Sequence, residues 1–79
     1  MLYVACVMVG ADMVQIESVH REGHLARKSA DNNAKAYPGR ELRALPVSMA
    51  RPASVRPKRG DVLGTMSEAS GLVVVAATR

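Results

Sequence analysis

The segment His20-Arg21-Glu22-Gly23-His24 is the first place to look for metal chemistry in this chain. Two histidines four apart on a helix put both rings on one face, where they can share a zinc ion with a glutamate beside them as base. Here the glutamate stands one position late, a glycine interrupts the segment, and the surroundings read as a β-turn. Catalytic zinc takes three protein ligands, and no third is evident. The H-x-E spacing also serves zinc sites completed by C-x-x-C, but Cys6 is the single cysteine. The two histidines are therefore expected to be exposed residues flanking a turn, with no metal between them.

Nucleophiles fare no better. Ser67 and Ser70 flank a turn without the G-x-S-x-G setting that exposes a catalytic serine. The six glycines are scattered and form neither a phosphate loop nor G-x-G-x-x-G. Cys6 sits in an apolar run with no evident cation to lower its pKa, which predicts a small buried hydrophobe rather than a reactive thiol. Arg59-Gly60-Asp61 spells an adhesion tripeptide, and a turn entering Val62 explains it better. Arg51-Pro52-Ala53-Ser54 resembles a basophilic kinase site only weakly. No catalytic, cofactor-binding or metal-binding residue is assigned, and the chain reads as non-enzymatic.

The elements that would have to position any chemistry are short. Seventy-nine residues make one domain, 1–79. Hydrophobic residues are 48% of the chain, but twelve of them are alanines, Phe and Trp are absent, and the aromatics are Tyr3 and Tyr37. The core must come from Val, Leu, Ile and Met, each worth about 1.5–3 kcal/mol when fully buried. Small scaffolds add a disulfide framework, a metal or a partner. One cysteine excludes an internal disulfide, which leaves a partner. The apolar run Leu2–Val9 is shorter than the roughly 20 residues of a membrane span and lacks the basic start of a signal peptide. No membrane or small-molecule partner is indicated, and localisation is left open, a virion included.

Leu2–Val9 is Val-rich and ends at Gly10-Ala11-Asp12, which predicts a strand. Met13–Val19 alternates, with Val14 and Ile16 on one face until Ser18 interrupts it, and is expected to hairpin with the first strand. His24–Lys28 reads as a short third strand. Ser29–Ala36 is divided between helix, from its alanines, and loop, from Asp31-Asn32-Asn33. Glu41–Leu45, ended by Pro46, reads as a short edge strand, and Val62–Met66 and Leu72–Ala77 close the chain as strands around a turn at Glu68–Gly71. The expected fold is mainly β: a small single-domain barrel or two-layer sandwich of five to six short strands. Leu2–Val9 and Leu72–Ala77 are apolar on both faces, whereas a barrel buries one. The outer set, Tyr3, Ala5, Val7 and Val9 or its alternate, needs a cover, supplied by the middle of the chain or by another chain.

Charge is uneven. Net charge is +4, yet Arg40–Arg59 alone carries six basic residues against Glu41, or +5, and the rest sums to −1. All four prolines lie in or beside this window, which argues for an extended, basic segment over 37–59. The stretch Gly60-Asp61-Val62-Leu63 through Val73-Val74-Val75-Ala76 resembles half of a biotinyl/lipoyl domain, over about a quarter of the chain. Those domains carry a modified lysine at the turn, where this chain has Ser67-Glu68-Ala69-Ser70-Gly71, so the resemblance implies a strand after a tight turn and no activity.

These features lead to a structural or interaction subunit of a larger assembly, a small virion decoration or cement protein of capsid or tail being the most plausible kind. Its expected contacts are the basic residues Arg51, Arg56, Lys58 and Arg59 and the apolar Tyr3, Val7 and Val9, with protein partners and self-association both in view. The alternative is a minor nucleic-acid-binding subunit of a ribonucleoprotein, whose arm would track phosphates. Against it stands the near absence of aromatics on which bases could stack.

Overall fold

The computed structural model describes residues 2–48, 57–69 and 71–75. Five strands, β1 (Tyr3–Met8), β2 (Met13–His20), β3 (Leu42–Ser48), β4 (Val62–Glu68) and β5 (Gly71–Val75), close into a barrel in the order β1-β2-β4-β5-β3. One helix, α1 (Gly23–Ala36), lies between β2 and β3 in sequence. All pairings are antiparallel except β3 with β5, a parallel contact of Val47 with Val74 and Ser48 with Val75. The expected β fold and its four terminal strands are present, with ends shifted by a residue or two. Ala76 and Ala77 lie outside the described residues.

Strand alternation builds the core. Val4 and Cys6 from β1, Val14 and Ile16 from β2, Leu45 and Val47 from β3, Leu63 from β4 and Val74 from β5 form one buried cluster. The other face of β1 is where the apolar run finds its cover. Ala5 and Val7 are buried, and α1 packs against β3, β1 and β2. The chain supplies its own second layer through Ala26 and Ala30, one helical turn apart. Side chains this small let a helix approach a sheet closely.

Three expectations are corrected here. His24–Lys28 is the first part of α1, not a strand. Glu22 caps it in extended conformation, and the residue before a proline is disfavoured in the α region, so the helix ends at Tyr37, before Pro38. Second, β3 runs through Pro46 instead of stopping at it, and lies in the barrel wall between β1 and β5. The Val47 N–H donates to the Leu2 carbonyl at 2.9 Å, so alternation turns the nitrogen of Pro46 away from β1, and pairing with β5 begins only at Val47. The missing N–H therefore costs no ladder bond. Third, residues 37–59 are not one extended arm, because β3 takes 42–48 of them.

A bulge corrects a fourth. Ala5 pairs with Ser18 and Cys6 with Ile16, so Glu17 is the extra residue on β2. Beyond it the parity of β2 changes: Val19, opposite Val4, packs against the core, while Ser18 and His20, opposite Ala5 and Tyr3, face outward. Ser18 does not interrupt the buried face.

Candidate interaction surface

The tight turn before β4 holds two of the expected contact residues. Lys58 and Arg59 are exposed, above a buried Pro57. The Asp61 carboxylate accepts the Lys58 N–H at 2.9 Å, and Gly60 takes a φ of 92°, a left-handed conformation suited to glycine. This turn is tied to the bulge region of β2: the Gly60 N–H donates to the Ile16 carbonyl at 2.7 Å, and the Ile16 N–H to the Asp61 carbonyl at 2.8 Å. Arg59-Gly60-Asp61 is thus a turn entering Val62, and it projects two cations from a fixed base. Arg51 and Arg56 lie outside the described residues, as does the Arg51–Ser54 segment.

The apolar contact residues separate. Val7 is only 4% exposed, so the chain's own packing removes it from the surface and corrects its assignment as a contact. Tyr3 is half-buried. Its ring lies over Gly23, where an added Cβ would stand 3.3 Å from Cε2, and it lines a shallow cleft of about 390 Å³ with Gly23, His24, Arg27, Ala44 and Pro46. Val9 is 52% exposed.

Val9 belongs to a larger patch that local sequence pattern did not reveal. Its N–H donates to the Met13 carbonyl at 3.1 Å across the β1–β2 turn. Met13 pairs with Gly64 of β4, and Val62 and Met66 stand two residues to either side of Gly64 on the same outer face. Met13 is 43%, Val62 50% and Met66 46% exposed. A Cβ at Gly64 would meet only the Asp12 carbonyl, at 3.9 Å, so the centre of the patch is open. Four of the six large exposed hydrophobics among the described residues therefore sit together on the outer face of β4 and the adjoining β1–β2 turn and start of β2, away from the part of β2 that α1 contacts. The Lys58-Arg59 turn borders its Val62 end, and Glu68 borders its Met66 end.

Polar groups elsewhere are engaged locally. Ser18 Oγ lies 2.8 Å from His20 Nε2 and 2.9 Å from Ser29 Oγ of α1. A hydroxyl against an imidazole is the first requirement of an activated serine. This hydroxyl, however, is shared with the helix across the β2–α1 contact, and neither Ser18 nor His20 lines the cleft. His24 approaches Glu22 at 3.4 Å, so the two histidines turn to different neighbours. His20 is half-buried in a strand, a correction to its expected place beside an exposed turn. In the basic window, Arg40 pairs with Glu17 at 3.5 Å and stacks on Tyr37, 5.5 Å from the ring centroid, while Arg43 makes two hydrogen bonds to Glu41 Oε2 at 3.0 and 2.9 Å. Burial pushes the Cys6 thiol up to about 11, against a smaller downward pull from Arg43, and its Sγ lies 3.6 Å from the Arg43 carbonyl. A thiol so placed is a poor nucleophile at neutral pH.

Comparison with models of protein families, with curated proteins and with solved structures finds no match to this chain.

Proposed function

We propose that the chain is a non-enzymatic interaction subunit of a larger assembly, and that the outer face of β2 and β4 is the surface it presents. The observation that carries this reading is the patch of Val9, Met13, Val62 and Met66, bare on a molecule that covers the outer face of β1 with its own helix. Apolar side chains gathered in this way are what protein contacts bury, and two flexible methionines allow the surface to adapt to its partner. The Lys58-Arg59 turn adds fixed positive charge at one edge, where it selects and orients. A virus particle, with the chain as a decoration or cement protein of capsid or tail, is the assembly we favour.

Phosphate tracking has less behind it. Of the six basic residues in the window, Arg40 and Arg43 are held by Glu17 and Glu41, and Lys58 and Arg59 share a turn with Asp61.

Replacing Met66 with lysine tests the proposal. Exposed substitutions change stability by about 0.5 kcal/mol or less, so the melting curve of Met66→Lys should match wild type. Its incorporation into the native assembly should fall at least tenfold. Normal incorporation of a folded Met66→Lys protein would overturn the proposal. A parallel titration of the wild-type chain with single-stranded and duplex DNA at low salt should show no binding beyond that of the Lys58→Gln/Arg59→Gln variant.

A further inference from the structure

We infer that the partner seated on this face is a second copy of the chain, related by a two-fold axis passing close to Gly64 with the two β4 strands antiparallel. The inference rests on reading the β2/β4 face as an interface, and three observations lead from that face to its own copy.

The first is the symmetry of the patch along β4. Val62 and Met66 stand equally far from Gly64, so a two-fold axis above Gly64 sets Val62 of each copy against Met66 of the other. An isologous contact demands this kind of self-match. The second is the glycine itself. It presents no side chain, and only the Asp12 carbonyl lies near the space a Cβ would occupy, so two copies can approach closely at the axis. The third is charge. Lys58 and Arg59 lie beyond the Val62 end, with Asp61 offsetting part of their charge, while Glu68, two residues past Met66 on β4, lies at the other end. From Val62 to Glu68 a strand spans about 20 Å, well beyond the screening length of about 8 Å at physiological salt. The two ends therefore act separately. Antiparallel stacking sets each basic end over an acidic one, whereas parallel stacking would set like on like. Gln15, paired with Val62, adds no charge between them.

Four half-exposed side chains supply less apolar area than the roughly 800 Å² each partner contributes to a standard interface. The pair is accordingly weak, reversible and salt-sensitive, suited to a subunit that completes its contacts within an assembly.

Sedimentation equilibrium of the full chain tests this with three charge variants, each checked for an unchanged far-UV spectrum and melting curve. Wild type should dimerise with rising concentration, and less at high salt. Lys58→Glu/Arg59→Glu makes both ends acidic, and Glu68→Lys makes both ends basic. Each should weaken the homodimer at least tenfold. Mixed together, these two variants should form a heterodimer, and the chain carrying all three substitutions should dimerise again. A wild type monomeric up to millimolar concentration, or a dimer indifferent to all the reversals, overturns the pairing. If incorporation still depends on Met66 in that case, the interface reading stands with another partner. If Met66→Lys affects neither dimer nor incorporation, both readings fall.

Discussion

Cys6 and the helix alanines show how single atoms decide stability in a core without phenylalanine or tryptophan. Burial is the main reason the Cys6 thiol stays protonated up to about 11, against an ordinary value of 9.0. Below pH 9 the thiol is protonated in the folded and unfolded chains alike. Above it the unfolded chain loses its proton first, and folding stability falls until the folded thiol also ionises near pH 11. The full difference amounts to about 3 kcal/mol. The stability of wild type relative to Cys6→Ala should therefore decline by that order between pH 9 and 11, as followed by urea unfolding. A difference that stays constant would show that the thiol does not feel its surroundings. Ala26 is fully buried against the sheet, so Ala26→Leu should cost about 1–3 kcal/mol through overpacking. Leu25→Ala, next to it on the exposed side, should cost about 0.5 kcal/mol or less. Equal effects from the two would mean that the helix does not pack on its alanine face.

Among the elements, the bulge in β2 and the helix that follows do most to arrange the outer layer. Glu17 shifts the parity of β2 so that Ser18 reaches Ser29 while Val19 turns inward. A strand that kept Glu17 in regular alternation, without the bulge, would reverse both, burying a hydroxyl in the core and exposing a valine. Glu17→Ala keeps the bulge and loses only a partly exposed pair with Arg40, worth about 1 kcal/mol at most. Deleting Glu17 keeps Ser18 opposite Ala5 and Val19 opposite Val4, so it should preserve a cooperative urea transition, and the substitution should barely move its midpoint. Loss of the cooperative transition on deletion would contradict this register. Four strands were legible because Val-rich runs of strand length have few alternatives. The helix was not, since its inward stripe is built from Gly23, Ala26 and Ala30, too small to register as hydrophobic periodicity. β3 was legible only as far as Leu45, because Pro46 reads as a breaker until the ladder shows its nitrogen facing away from β1. The same limit governs the site. Lys58 and Arg59 announce a basic turn by themselves, but Met13, Val62 and Met66 become neighbours only through the pairing of β2 with β4.

For the whole molecule, one outer face is covered from within and another keeps exposed apolar side chains. The apolar run of β1 raised the need for a cover, and α1 meets it, so the apolar surface that remains exposed is that around Met13 and β4. No described helix is long and apolar enough to cross a membrane. The methionines offer a direct readout of the central claim, because a thioether oxidises in proportion to its exposure. Met13 and Met66 are nearly half exposed in the single chain, and Met8, half-buried against the core, serves as an internal reference. Peroxide oxidation, followed by mass spectrometry of peptides, should be compared between the dilute chain and the native assembly. Met13 and Met66 should be protected at least tenfold in the assembly while Met8 keeps its rate. Oxidation of Met13 and Met66 at the same rate in both would contradict the account, because the face assigned to the partner would then be open to solvent in the assembled state.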